Sequence, residues 1–376
     1  MDDRTRRAQM EKLWMETFKD SSEYVMLVFD NYYDPILSAS REKEGEIVSA
    51  LLGVPYDFVD PSGNRLRGLY LCGLATKESE QGKGLMSEML EEINGKAQEK
   101  GFDFTFLIPS NDGIRRFYRD RGYHDTFYYK EDFFVKSHRF KKDPKLKIGN
   151  SGKEDRETLI EYLSKSKTVY GWELIHTLKD WKAVIDEAEI SVEPIIVARS
   201  EKGVRGVAFL SALYSEKEER ERSERSEERY VRVKKLLADD DSIRESLLST
   251  VLSLHPECGV KVIVDSTVKP EGETERQVWE PFYAHSNGKD AEYEEVSQVE
   301  FPFSGKELLK SKGMIRIFDI RSIVRQSGMT DEKALDGFTN EELSELLLRP
   351  SVGGKDELER VLHLPELTFS MSLLLE

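Results

Sequence analysis

Cysteine is almost absent. Two residues, Cys72 and Cys258, occur in 376, far apart and without CxxC or Cys/His ligand spacing, so neither a disulfide framework nor a zinc site is indicated. The six histidines (His124, His138, His176, His255, His285 and His363) show no HxxxH-type spacing either, and no metal is expected. No run approaches the ~20 apolar residues of a membrane span, and Met1–Lys12 is charged throughout, without the apolar core of an export signal. A chain that is not exported, in a reducing cytoplasm, is expected. An excess of positive charge is lacking as well: Lys and Arg total 56 against 72 for Asp and Glu, a net charge of -16. Nucleic acid and anionic membrane are therefore excluded as the main partner, and a small cationic ligand fits better. Apolar material is not short. Hydrophobic residues make up 38% and aromatics 10%, with Tyr 15 and Phe 18, enough for packed cores, and the length asks for more than one domain.

Leu13, Phe18, Tyr24, Leu27 and Phe29 recur at roughly helical spacing, interrupted by Asp20-Ser21-Ser22, which predicts two short helices separated by a cap. Two strand-like runs, 46–58 and 66–75, flank the turn residues Asp60-Pro61-Ser62-Gly63-Asn64 and predict a hairpin. Gln81-Gly82-Lys83-Gly84 then leads into an amphipathic helix through Leu85, Met89, Leu90, Ile93 and Ala97. A buried strand (104–108), a short helix (112–121) and an aromatic-rich strand (123–135) follow. Beyond the polar stretch Lys141–Lys145 the same order returns: helices at 156–166 and 174–188, strands at 195–199, 204–214 and 230–237, a helix at 242–253 and a strand at 260–265. The run 215–229, rich in Glu, Arg, Lys and Ser, reads as a solvated excursion.

The strongest chemical signal is Glu80-Gln81-Gly82-Lys83-Gly84-Leu85. A strand delivers the chain into a glycine turn and a helix starts at once, so unpaired N–H groups converge where the helix dipole is positive. Gly82 and Gly84 let a phosphate approach the backbone, and Lys83 adds charge. Neither GK[ST] nor GxGxxG is present, which removes the Walker and dinucleotide patterns. Downstream, Asn111-Asp112-Gly113-Ile114-Arg115-Arg116-Phe117-Tyr118-Arg119-Asp120-Arg121-Gly122-Tyr123 resembles the fourth conserved region of the Gcn5-related N-acetyltransferases (GNAT), with its Tyr-x-x-x-Gly-aromatic ending. Gln81, Gly82, Lys83 and Gly84 match that superfamily's [QR]-x-x-G-x-[GA] loop, which binds the pyrophosphate of acetyl-CoA, while Met86 replaces its last small residue. The resemblance implies that Leu74, Ala75 and Thr76 at the end of the preceding strand, the loop through Leu85, and Asn111 hold acetyl-CoA. Backbone N–H groups of Leu74 and Thr76 would face the developing oxyanion. It further implies that Tyr118 protonates the departing thiolate; the other reading of Tyr118 is packing among Phe117, Tyr123, Phe127, Tyr128 and Tyr129. Asp20 either caps the second helix or holds a cationic acceptor.

A catalytic unit, a degenerate second copy and a C-terminal unit are together similar to the multidomain enhanced-intracellular-survival (Eis) acetyltransferases. In that group a large residue also closes the pyrophosphate loop, an acid matches Asp20, and the C-terminal carboxylate, here that of Glu376, serves as base. Met314–Asp319 looks like the start of a sterol-carrier-like third domain, although too few residues separate Arg325 from Phe338 for its whole sheet and the terminus is not aromatic. The second copy has Asp239-Asp240-Asp241 where the glycine turn should be, which would repel CoA. The expected fold is mixed α/β (α+β): tandem GNAT-like domains at 1–145 and 146–300, central sheets flanked by helices, and a small unit at 301–376. The expected activity is acetyl-CoA-dependent transfer to a primary amine of a small cationic acceptor, by direct attack, in a homo-oligomer without nucleic acid, membrane or metal. The alternative is a non-catalytic acyl-CoA-binding or assembly protein.

Overall fold

Along β2 (Glu46–Val59), Leu52, Val54, Tyr56 and Phe58 enter one buried cluster while Leu51 enters another, the two-residue period of a strand covered on both faces. β2 forms a hairpin with β3 (Arg65–Thr76), and Asn64 N–H closes the turn on the Asp60 carboxylate at 2.8 Å. A strand without a sequence signal, β1 (Ala39–Lys43), pairs antiparallel with the start of β2. In this computed structural model residues 1–135, 137–165, 172–211, 214–215, 229–265, 310–326, 336–348 and 369–370 are described.

Before the hairpin stand α1 (Asp3–Phe18) and α2 (Ser22–Tyr32). The break between them is capped by Ser21, whose hydroxyl accepts from Tyr24 N–H at 3.2 Å; Asp20 is not the cap. Both helices cover the Leu52/Val54/Tyr56 face. After the hairpin come α3 (Leu85–Glu99), β4 (Phe104–Leu107), α4 (Asp112–Arg119) and β5 (His124–Phe134), with α3 and α4 packed on the opposite face around Leu69, Leu71, Met89, Leu90 and Ile93. The second half contains β6 (Lys147–Asn150), α5 (Arg156–Lys165), β7 (Trp172–Ile175), α6 (Leu178–Ile190), β8 (Ile195–Ser200), β9 (Gly203–Leu210), β10 (Tyr214–Ser215), β11 (Arg229–Ala238), α7 (Asp241–Leu254) and β12 (Gly259–Asp265). β13 (Lys310–Ile317), α8 (Ile320–Gln326), α9 (Asn340–Leu347) and β14 (Phe369–Ser370) follow.

The fold is mixed α/β, and its halves echo one another. β3, α3 and β4 make a parallel crossover beside the antiparallel β2; β11, α7 and β12 make another beside the antiparallel β9. Antiparallel pairing of β5 with β12 joins the halves, giving among the described residues one 14-stranded sheet in the order β14-β7-β2-β3-β4-β13-β5-β12-β11-β9-β8-β6, with β1 on β2 and β10 on β11.

Two pairings depart from expectation. Met314–Ile317, expected to open a third unit, is part of β13, which lies antiparallel between β4 and β5 and so completes the sheet of the first half. Leu174 and Ile175, expected to open a helix, belong instead to β7 (Trp172–Ile175), which pairs with Asp57–Val59 at the far end of β2. Most of the charged run 215–229, and Glu376, lie outside the described residues. Among the described residues no helix is long and apolar enough to cross a membrane, and no His/Cys/Asp/Glu group is arranged to hold a metal ion.

Candidate active site

The site begins where two parallel strands part. β3 pairs with β4 only from Gly68 to Tyr70, so Leu71–Thr76 runs on without that neighbour and opens a wedge in the sheet. A register shift against β2 between Ala50 and Leu52 bends β3 there, as a bulge does. Gly73 occupies the bend with φ +59, and a Cβ on it would lie 2.0 Å from the Trp14 ring, so both conformation and space demand glycine.

At the end of β3 the chain turns through Glu78–Glu80 into the glycine loop. The Gln81 side-chain amide donates to the Thr76 carbonyl at 3.1 Å, tying the loop to the strand. Gly82 (φ +75) and Gly84 (φ +84) are left-handed, and no atom lies within 4 Å of the Cβ position of either. Gly84 is the N-cap of α3 and offers no side-chain cap, so the N–H groups of the first turn beginning at Leu85 face open space. The Lys83 ammonium lies 3.0 Å from the Glu80 carboxylate, which Lys43 also engages at 2.8 Å. These partners, Lys43 before Lys83, hold the Glu80 carboxyl below its ordinary value. The arrangement fits a pyrophosphate: open backbone donors at a helix start with a cation alongside. In the second half the equivalent position is filled by the protein itself. Asp240 caps α7 by accepting from Ile243 N–H at 2.9 Å, and Asp239 pairs with Arg205.

Across the wedge stands α4. Asn111 caps it, its side-chain oxygen accepting from Ile114 N–H at 3.0 Å, and Arg115 ties it to β13 through the Ser311 carbonyl at 3.0 Å and hydroxyl at 3.1 Å. Tyr118 lies in the last turn, buried in the cluster that also holds Leu69, Leu71, Leu107 and Met314, with Leu74 and Met86 against its edge. Its ring contacts Phe117 and Tyr123 edge-on, at 5.4 and 5.8 Å. Burial foremost, then the neighbouring Tyr123, pushes its phenol above the ordinary value. Among the described residues the Tyr118 hydroxyl has no hydrogen-bond partner, whereas Tyr123 donates to Asn94 and meets Thr105. Tyr118 thus packs and keeps its polar atom free.

On the other face a small cleft, with room for a single water-sized group, is lined by Trp14, Tyr24, Tyr32, Tyr56, Tyr70 and Cys72, with Val28 and Val54. The indole of Trp14 donates to Asp20 at 2.7 Å, so Asp20 stands behind the cleft wall and orients it. Burial pushes the Cys72 thiol up to about 12, which keeps it a protonated, poor nucleophile. The structure therefore gathers Leu74, Ala75, Thr76, the loop 81–85 and Tyr118 around the wedge, places Asp20 one residue behind the cleft, and leaves Glu376 undescribed. The cleft aromatics Tyr32, Tyr56 and Tyr70 were missed in the sequence; the only signal was their placement on the same strand face or helix stripe as Val54 and Val28.

Comparison with known proteins accords with this geometry. Residues 4–125 match the model of the acetyltransferase (GNAT) domain. A search of curated proteins finds no significant match. Among solved structures, a probable N-acyltransferase of Enterococcus faecalis is similar at TM-score 0.60 and 13% identity, over 86% of this chain and 73% of that one. A GCN5-related N-acetyltransferase of Anabaena variabilis is similar at 0.56 and 11%, over 86% and 74%. Eis1 of Mycobacterium abscessus is similar at 0.55 and 11%, over 88% and 75%. Residues 4–125 thus form a GNAT acetyltransferase domain, and by that domain the chain is an acetyltransferase.

Proposed function

We propose that this chain transfers the acetyl group of acetyl-CoA to a primary amine of a small cationic acceptor, by direct attack within a ternary complex. The observation that carries this reading is the meeting of three features at one wedge: the open glycine turn at the start of α3, the unpartnered end of β3, and the free Tyr118 hydroxyl. Pyrophosphate held at Gln81–Leu85, with Asn111 opening the facing helix, would lay the thioester along Leu74–Thr76, where backbone N–H groups stabilise negative charge on the carbonyl oxygen. Attack by the neutral amine expels CoA thiolate, to which Tyr118 gives its proton. A covalent acetyl-enzyme is disfavoured by the raised thiol of Cys72. The aromatic cleft beside Trp14 suits an ammonium through its ring faces, and the net charge of -16 raises the local concentration of cations. Asp20 acts on the acceptor through Trp14.

The likeness to Eis1 supports an Eis-type arrangement, with residues 1–145 plus β13 as the catalytic unit, 146–300 as the second copy, and Glu376 as the base that takes the amine proton. On the resemblance alone we also place the protein in the cytoplasm as a homo-oligomer. A thiol-release assay with acetyl-CoA against spermidine, tobramycin, phenethylamine and a neutral hydroxylated control tests the reading. Turnover confined to the amines, weakening as salt is raised, is expected. Acetyl-CoA binding without turnover of any amine would favour a binding protein instead.

A further inference from the structure

The cleft beside Trp14 is lined by the first half alone, yet a carboxylate directly behind it comes from the second. Helix α6 packs along α2 and brings Asp180 to Tyr32, 148 residues away in sequence. Asp180 is 5% exposed. Its Oδ2 accepts from the Thr177 backbone N–H and hydroxyl, both at 2.6 Å, and its Oδ1 accepts from the Tyr32 hydroxyl at 3.0 Å. No lysine or arginine pairs with it among the described residues.

We propose that Asp180 is a positioning residue for the acceptor: by taking the Tyr32 hydroxyl proton it leaves that oxygen only lone pairs to show the cleft, and so selects an incoming ammonium. The direction of the bond is fixed by chemistry. An ionised carboxylate accepts only, so the phenol must donate, and a phenol that has donated its one proton can thereafter only accept. An ammonium has donors and no acceptor, which matches; a carbonyl or carboxylate ligand would meet lone pairs with lone pairs. The buried charge of Asp180 strengthens the match from behind, through the Tyr32 oxygen. Burial foremost, and then Asp180, pushes the Tyr32 phenol up against a smaller opposing hydrogen bond from Tyr56, so the oxygen stays a neutral hydroxyl with one lone pair met by Tyr56 and the other left for the acceptor. The same ring already takes one cation: the Lys179 ammonium sits 4.8 Å from its centroid. The half that has lost its phosphate turn thereby keeps a part in substrate choice.

This inference rests on the proposed amine transfer, and the experiment separates the two. Asp180 also belongs to the cap of α6, so Tyr32→Phe, which leaves that cap intact, carries the test, with Asp180→Asn and the double variant beside it. Steady-state kinetics use acetyl-CoA and whichever of spermidine, tobramycin and phenethylamine the wild-type chain turns over best. Tyr32→Phe is expected to raise the amine KM about 10-fold to 100-fold, the range of a hydrogen bond to a charged group, with kcat and the acetyl-CoA KM within about twofold. Asp180→Asn should act in the wild-type background and add nothing in the Tyr32→Phe background. An unchanged amine KM in Tyr32→Phe, or effects that multiply in the double variant, overturns the inference alone. Absence of turnover with all three amines in the wild-type chain overturns the proposed function, and the inference with it.

Discussion

Replacing Tyr118 by phenylalanine removes one oxygen and leaves the ring. That oxygen has no hydrogen-bond partner among the described residues, while the ring is packed against Phe117, Tyr123 and the Leu69/Leu71 cluster. Folding should therefore be nearly indifferent to Tyr118→Phe, within about 1 kcal/mol, because no intramolecular hydrogen bond is lost. Catalysis should not be indifferent. A positioned acid contributes about 10²-fold to 10⁴-fold, a rise in the barrier of about 2.7 to 5.4 kcal/mol. The two magnitudes separate the roles cleanly: packing alone predicts unchanged turnover, and the acid role predicts lost turnover in a protein of wild-type stability. Thiol release would be followed under saturating acetyl-CoA and amine, with calorimetric titration of acetyl-CoA and a denaturant melt on the same sample. The phenol lies above its ordinary value of 10.0, so it stays protonated throughout the usual assay range, and any alkaline limb below that pH should survive in the variant's residual rate. Wild-type kcat in Tyr118→Phe would refute the reasoning, as would a loss of acetyl-CoA affinity equal to the loss of rate.

Three further outcomes are expected. Gly73→Ala would push a Cβ to 2.0 Å from Trp14 at a left-handed residue; a loss of about 2–4 kcal/mol in urea unfolding is expected, and unchanged stability would mean that β3 does not bend there. Gly82→Val together with Gly84→Val places side chains in the open turn, so acetyl-CoA affinity by calorimetry should fall more than about 10-fold, while the left-handed backbone costs the fold only about 1–2 kcal/mol per site; retained affinity would remove the loop from the site. Burial raises the phenols of Tyr32, Tyr56, Tyr118 and Tyr123. Below about pH 10 folded and unfolded chains both keep these protons and the stability is fully present; above it the unfolded chain releases them first, so stability should decline as pH rises. Denaturant midpoints that stay level up to pH 11 would contradict those burials.

Much of the first half was legible because its signals are local. Alternation marked β2 and β3, the Asp60–Asn64 turn joined them, and Gln81–Gly84 announced the start of α3; all three stand as read. Of the two readings of Asp20 the cap falls instead to Ser21 beside it, which offers the same chemistry, and only the position of the Trp14 indole decides which carboxyl or hydroxyl turns inward. β7 and β13 show the other limit. Each is a short strand whose partner lies more than a hundred residues away, and no local pattern says which open strand edge it will fill. Asp180 carried only the signal of a helix cap, Thr177-x-x-Asp180, since its contact with Tyr32 depends on α6 lying along α2.

The place of β13 also bears on how the chain is made. β4 and β5 are synthesised early, but the strand that separates them is not complete until Ile317 has left the ribosome, on the order of ten seconds or more after β5 at ordinary elongation rates. Throughout that interval two strand edges of the nascent first half await their partner, and the second half emerges beside them. A chain cut before Lys310 would keep those edges permanently, so the acetyltransferase segment is expected to need its distant strand, and a chaperone's shelter until it arrives, to avoid pairing with its neighbours on the polysome.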